Sequence, residues 1–387
     1  MTDVPPILAG VPGTFPHSVF HERHPRLIEQ VIGAHPYGPA ARAGLRELLT
    51  ESTSGTVRPP EPGGERVAPW LEWGRAMWSR PWGEVPFLLA ESYFYRRLLD
   101  AVGYFGEGPW RRIDPFGPTK AAELYGRAVD DELAALDTLV DRPIDSIRDA
   151  LLRSALWGNQ ADLGFRLTAE SGTVDTRLLV DDSAALWAAL ERTPGATVAL
   201  IADNAGRELL PDLVLADHLL TENLAGRVVV HVKPHPYYVS DATMADLLAA
   251  LRRLRDADTP QAQRAGQRLW QATADDRLVV RAHEFFCAPL HFHDMPTDLT
   301  DELTGAAMTI LKGDLNYRRL VGDRYWPPTT SFAELVRYFP TPVTALRTLK
   351  SDVVVGLSAE QVRTLDAAGE NWRSSGKHAL IQSNAAA

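Results

Sequence analysis

Two oxygen-bearing side chains, Asp203 and Asn204, stand directly behind the apolar run Thr197–Ala202 (TVALIA). Adjacent oxygen donors at a strand's end suit a hard divalent cation, and Gly206 permits the tight turn into the next helix. Glu208 and Asp212 follow on that helix. A second run, Arg227–Val232 (RVVVHV), leads into Lys233-Pro234-His235-Pro236-Tyr237-Tyr238-Val239-Ser240-Asp241. There Asp241 is either a further oxygen donor or, like Ser240, a candidate cap for the following helix. Lys233 either orients a phosphate or pairs with Asp241. A third run, Ala306–Leu311 (AAMTIL), ends in Lys312, Gly313, Asp314, Leu315, Asn316, Tyr317, Arg318 and Arg319. A glycine turn flanked by cations can present backbone N–H groups to an anion.

These motifs need elements to carry them. From about Thr193 short β-branched runs alternate with helical patterns, and Leu278–Arg281 (LVVR) is a fourth strand candidate. Leu209, Leu213, Ala216 and Leu220 share one helical face, as do Met244, Leu247, Leu248, Leu251 and Leu254. Such alternation predicts a parallel sheet covered on both faces, with chemistry gathered beyond the carboxyl ends of its strands. Before Gly158 the patterns are helical: Tyr95, Leu98, Leu99 and Val102 lie at i, i+3, i+4 and i+7, and 131–139 and 144–156 read the same way. The stretch TSGTVRPPEPGGERVAP is a loop by its prolines and glycines. Trp70, Trp73, Trp78, Trp82, Phe87, Tyr93, Phe94 and Tyr95 are expected to form an aromatic core or seam rather than a stacking platform.

The chain has 387 residues, which at about 150 per domain favours two domains. Hydrophobic residues make up 45% and charged residues 23%, ample for a sizeable core. With 40 Lys and Arg against 50 Asp and Glu the net charge is −10, which disfavours nucleic acid and anionic membrane surfaces as partners. Cys287 is the only cysteine, so neither an intrachain disulfide nor a thiolate zinc site can form, and a reducing compartment is expected. No leader-like pattern opens the chain and no run of about 18 apolar residues occurs, so a cytoplasmic location is expected.

In combination the motifs resemble a known family. IADNAGRELLPDLVLADHLL, KPHPYYVSDAT, LKGDLNYRRLVGDR and LRTLK are similar to segments of the metal-dependent damage-control phosphatases (domain of unknown function 89), in the branch containing acidic residue methyltransferase 1. FHERHPRLIEQVI, ESYFYRRLLDAVGYF, DPFGPTKAAEL and LWGNQADL extend the resemblance through the helical part. It implies an α/β fold: a three-layer α/β/α Rossmann-like sandwich (159–387) joined to an N-terminal helical domain (1–158). It implies Asp203, Asn204 and Asp241 as metal ligands and catalytic residues, serving Mn²⁺, Mg²⁺, Co²⁺ or Ni²⁺. Glu208 matches an acidic residue of the site, Gly313 to Arg318 the substrate phosphate loop, and Lys350 a phosphate-contacting lysine. Lys312 and Arg347 join them as candidate substrate contacts, and Asn159 and Asp162 match a further polar motif. Two departures stand out: Ala205 where a small hydroxyl residue is expected, and RAHEFFCAPLHFHDMP in place of the usual aromatic stretch.

The expected activity is hydrolysis of a small phosphomonoester, such as a sugar phosphate. A phosphomonoester dianion repels its nucleophile, so catalysis rests on charge neutralisation and in-line positioning. Water activated by the ion is preferred as nucleophile over a carboxylate such as Asp203, whose electrons are shared with the metal. A methyltransferase acting on carboxyl groups with S-adenosylmethionine is the first alternative, disfavoured because no glycine-rich G-x-G loop follows the first α/β strand. A non-catalytic phosphometabolite binder ranks last, since all three ligands are present. His291, His293 and Asp294 are expected to shape the substrate pocket rather than to clip a metal, and Cys287 to be an inert buried thiol.

Overall fold

The computed structural model describes residues 4–158, 177–369 and 371–385. Its described strands form one seven-stranded sheet: β1 (Leu178–Asp181), β2 (Thr197–Ile201), β3 (Arg227–His231), β4 (Leu278–Arg281), β5 (Met308–Lys312), β6 (Val343–Thr348) and β7 (Ala379–Ser383), in the order β1-β7-β6-β5-β2-β3-β4. β2 to β6 run parallel. β7 is antiparallel to β6, and β1 is parallel to β7. The expectation of an all-parallel sheet is thus corrected at one edge. The four strands read from the sequence are present within a residue or two, while β1, β6 and β7 are additional.

Both faces of the sheet are covered, and alternation along the strands divides the core. Ala199 and Ile201 of β2, Leu311 of β5 and Ala345 of β6 join one apolar cluster with Phe20, Trp70, Trp82, Phe87, Tyr93 and Phe94. Val198 and Leu200 of β2, Val230 of β3 and Ile310 of β5 turn the other way. They pack with leucines of the helices Leu209–Thr221 and Met244–Arg255, and with Leu151, Leu152 and Leu156 of the helix Ile144–Trp157. Each fully buried aliphatic side chain contributes about 1.5–3 kcal/mol relative to exposure, so both layers hold the sheet. The aromatic residues of the helical part are core as expected: Tyr93 and Phe94 are fully buried, and Trp82 stacks on Tyr93 at 5.8 Å. Among the described residues no helix is long and apolar enough to cross a membrane.

This order places the functional loops. The chain leaves β2 toward β3 and β4, then returns through β5 to β2's other side. The carboxyl ends of β2 and β5 therefore flank a topological switch, the crevice where open α/β sheets bind ligands.

Candidate active site

Asp203 and Asn204 follow β2, and Asp241 reaches them through backbone pairing. Asn204 and Asp241 form an isolated antiparallel bridge. Around it the Ala205 amide donates to the Ser240 carbonyl (2.6 Å) and the Ala242 amide to the Asp203 carbonyl (2.8 Å). The open question of helix capping is settled by the neighbours. Thr243 is the N-cap of Met244–Arg255 and forms a capping box with Asp246, which accepts from the Thr243 amide (2.9 Å) and hydroxyl (2.7 Å). Asp241 is left free of that duty, and its Oδ2 is buried without a hydrogen-bond partner.

Gly313 closes the site from β5. Its φ is +85°, and a Cβ there would lie 1.8 Å from Asp203 Oδ2, so only glycine lets the β5 loop approach the carboxylate. It is the N-cap of the helix Asp314–Val321, whose first-turn amides have no partner within the helix and carry its positive end. Gly206 has φ +62°, and the helix Gly117–Leu124 packs against it: a Cβ there would lie 3.0 Å from Glu123 Oε2.

The electrostatics are those of a loosely paired acidic cluster. Burial, then Asp241 and Glu208, push the Asp203 carboxyl well above the usual carboxylate range. Burial also raises Asp241, against the opposing pull of Lys233 and Lys120. Lys233 Nζ lies 3.9 Å from Asp241 Oδ2 and has no hydrogen-bond partner. Of the two readings of Lys233, it therefore takes up the loose ion pair. Asn204 donates through Nδ2 to Glu208 (2.9 Å) and Asp203 (3.3 Å), so its amide oxygen Oδ1 is the atom left to act as an oxygen donor. Lys350 Nζ lies 3.8 Å from Glu208, and its side chain is 38% exposed. Burial works against its charge, but Glu208, Asp203 and Asp314 outweigh that and raise its pKa.

Other candidates are placed differently. Arg318 is buried in a bidentate pair with Asp323 (2.9 Å for both bonds) and a third bond to Glu91 (3.0 Å). Arg347 is fully buried and bonds Asp314 (2.8 Å) and Ser351 (3.0 Å). Lys312 pairs with Asp212 at 2.7 Å and donates to the Ala155 carbonyl. Asn316 ties the carbonyls of Ala202 (3.1 Å) and Lys312 (2.8 Å), Tyr317 bonds Gln382 (2.7 Å), and Leu315 packs with Leu88, Tyr237 and Cys287. These side chains are buried and most of their polar atoms are engaged inside the protein, although Arg347 Nη1 and Asn316 Oδ1 have no hydrogen-bond partner and Lys312 lines the same cleft as Asp203, Asn204 and Glu208. The loop's backbone also presents the first-turn amides of the helix Asp314–Val321. Asn159 and Asp162 lie outside the described residues.

His291 and His293 stand apart. Arg319 holds their loop by donating to the carbonyls of Leu290 (2.7 Å) and Phe285 (2.8 Å), and His293 packs against Tyr338 at 4.9 Å between ring centres. Among the described residues no contact joins either histidine to Asp203, Asn204 or Asp241, and no group of three His, Cys, Asp or Glu side chains forms a metal cluster by itself. The Asp203 set reaches three oxygen donors only with the Asn204 amide. Burial pushes the Cys287 thiol up to about 12, consistent with an inert residue. Lys120 and Glu123 also border the site; the segment DPFGPTKAAEL that contains both resembles the family, but neither residue is singled out by it.

An α/β sheet with an acidic, glycine-cradled site at its switch point is an arrangement for polar ligand chemistry, and the comparisons specify the class. Residues 19–365 match the damage-control phosphatase ARMT1-like domain. The damage-control phosphatase ARMT1 of Danio rerio is 32% identical over 333 residues, covering 78% of this chain and 74% of that protein. The Homo sapiens protein of the same name is 31% identical over 334 residues, covering 78% and 75%. The chain belongs to the damage-control phosphatase ARMT1-like family, and by class it is a phosphatase. A crystal structure of a DUF89 family protein from Pyrococcus horikoshii aligns over 95% of this chain and 98% of that one, with a TM-score of 0.52 and 16% identity, a likeness of fold.

Proposed function

We propose that this protein is a divalent-metal-dependent phosphatase of small phosphomonoesters, with sugar phosphates and related phosphometabolites as its substrate class. The observation that carries the reading is the convergence of Asp203, Asn204 and Asp241, with Asp241 Oδ2 buried and unpartnered beside a glycine that admits no side chain. Two neighbouring carboxylates that burial pushes toward protonation, Asp203 further raised by Asp241, are a poor structural device and a good cation site. The residues fit the ion: oxygen donors from Asp203, Asn204 Oδ1 and Asp241 suit Mn²⁺, Mg²⁺, Co²⁺ or Ni²⁺. When bound, such an ion supplies charge neutralisation at the phosphoryl group and activation of water.

The chain's own residues do the rest. Lys350, the partly exposed cation of the site, and the first-turn amides of the helix Asp314–Val321 hold phosphoryl oxygens. Glu208 accepts from Asn204 and faces Lys350, so it orients both a ligand and an anion contact. Arg347 fixes Asp314, which also accepts from the Lys350 amide (3.2 Å) and so sets the loop that carries Lys350. Residues 1–158 form a helical part that closes one side of the site and limits water. A net charge of −10 disfavours long polyanions and fits a small substrate.

The test is inorganic phosphate release over a panel of hexose phosphates, pentose phosphates and nucleotides with Mn²⁺, Co²⁺, Ni²⁺ or Mg²⁺. Metal-dependent release with a preference for sugar phosphates supports the reading. Full release by chelated protein overturns the metal role, and a preference for nucleotides overturns the substrate class.

A further inference from the structure

Lys120 lies in the helix Gly117–Leu124, 121 positions before Asp241 in the chain, and is 4% exposed. An ammonium has three N–H donors, and all three are used. Nζ donates to Asp114 Oδ2 (2.9 Å), to Asp246 Oδ2 (2.9 Å) and to the main-chain carbonyl of Asp241 (2.8 Å). Both carboxylates are themselves fixed: Asp114 accepts from the Phe116 amide (2.8 Å), and Asp246 is the partner of Thr243 in the capping box. The third bond ends on the residue whose carboxylate oxygen Oδ2 is buried without a hydrogen-bond partner.

We propose that Lys120 is a positioning residue for Asp241, fixing the main chain that carries this carboxylate and so setting the cation site from the helical part of the molecule. The proposal rests on the metal reading above. The backbone on either side of Asp241 is strapped to the β2 loop, through Ala205 to Ser240 and Ala242 to Asp203. The Asp241 carbonyl points away from that strap, and Lys120 is its partner. Removing the ammonium would leave this buried carbonyl without a donor and take one bond each from Asp114 and Asp246, which loosens Asp241 at its root. Burying a lysine is costly, and an apolar side chain would fill the space as well. What lysine adds is a fixed three-way junction between a helix cap, a helical turn and a site residue. Arginine keeps the charge, but its planar fork cannot reproduce three donors diverging from one atom.

The experiment is titration of Mn²⁺ alone into chelated parent, Lys120→Met and Lys120→Arg by calorimetry, with thermal unfolding and phosphate-release kinetics on the same samples. Asp217→Asn serves as control, because it weakens a pair between buried Asp217 and half-exposed Arg268 that touches no site residue. Loss of such a support around a metal ligand costs about 10–100-fold in metal affinity. Lys120→Met should bind Mn²⁺ at least tenfold more weakly per folded chain and lose kcat more than KM, with part of the affinity restored in Lys120→Arg. The control should unfold at lower temperature and bind Mn²⁺ like the parent. If Lys120→Met does not fold, Asp114→Ala removes one of the three acceptors and should weaken Mn²⁺ binding in the same direction by less. Parental Mn²⁺ affinity in the folded variants, whatever their melting temperature, overturns the positioning role and leaves the metal reading intact. A parent that neither binds Mn²⁺ nor needs it for phosphate release overturns the metal reading and the proposal with it.

Discussion

Two regions of this molecule hold three carboxylates each and use them oppositely. In one, Glu91, Asp314 and Asp323 meet Arg318 and Arg347 at 2.7 to 3.0 Å. In the other, Asp203, Glu208 and Asp241 face Lys233 and Lys350 at 3.9 and 3.8 Å. The consequence is visible in a pair of aspartates. Burial raises both, but Arg347 and Arg318 pull Asp314 below the usual carboxylate range, while Asp241 and Glu208 push Asp203 further up. Each region sets three carboxylates against two cations, but in the first the arginines bond the carboxylates directly, whereas in the second the lysines stand off at 3.8 to 3.9 Å and Asp241 Oδ2 keeps no hydrogen-bond partner. The second region is therefore the one with oxygen atoms open to an added cation.

The comparison is broken most severely at Gly313. Gly313→Ala would drive a methyl group into Asp203 Oδ2 and impose a left-handed φ on alanine. Displacement of a reacting group by about 1 Å costs on the order of 10²-fold in rate. Phosphate release by this variant, and by Asp203→Ala and Asp241→Ala, should fall at least that far. Near-parental kcat in Gly313→Ala would mean that the β5 loop does not close on Asp203.

The arginine-bonded region should answer in stability instead. Arg318→Met strands Glu91 and Asp323 in the interior, and breaking a buried pair costs about 3–5 kcal/mol. Denaturant titration should show that loss, while kcat/KM per folded chain stays within a few-fold of the parent. A stable variant with collapsed activity would move Arg318 into the substrate site.

Lys350→Ala sharpens the division on the active side. Its ammonium is partly exposed, so the melting temperature should change little, while KM rises and kcat falls for a phosphorylated substrate at unchanged Mn²⁺ affinity. Parental kinetics with weakened Mn²⁺ binding would contradict an anion-binding role.

The smallest effect concerns acid sensitivity away from both regions. His24 is stacked on Phe94 at 3.6 Å, and burial, with a lesser push from Arg23, lowers its pKa to about 3. A depressed folded value means that stability present above the unfolded value of about 6.5 is lost as pH falls from there toward 3. His24→Phe keeps the ring and removes the titration, so its acid unfolding curve should be flatter over that window. An acid limb identical to the parent's would assign the loss to other groups.

Much of this was legible in the chain. The β-branched runs of β2 to β5 and the polar groups behind three of them are local signals that point to Asp203, Asn204 and Gly313, while Asp241 is locally ambiguous between donor and cap and the ligand set as a whole rests on the family resemblance. β1 and β7 lie beyond the stretch where strands alternate regularly with helices, and β6 was read only for its terminal LRTLK. What sequence could not convey is how long-range pairs allocate charge. Arg318 meets Glu91 across 227 positions and Lys120 meets Asp241 across 121. Within GDLNYR both arginine and asparagine look like ligand contacts, and only the fold shows that Arg318 is held by Asp323 and Glu91 and that Asn316 Nδ2 is tied to the Ala202 and Lys312 carbonyls. The same holds for Asp241, whose capping alternative vanished because Thr243 and Asp246 satisfy the helix between them.

The central claim is that the loosely paired cluster is a cation site, and metal binding tests it without reference to any substrate. Titration of Mn²⁺ into chelated parent, Asp203→Ala, Asp241→Ala and Asn204→Ala should show one site in the parent, none at comparable concentration in the two aspartate variants, and a weakened site in Asn204→Ala. Equal binding by the parent and both aspartate variants, or no binding by a fully active parent, would contradict it.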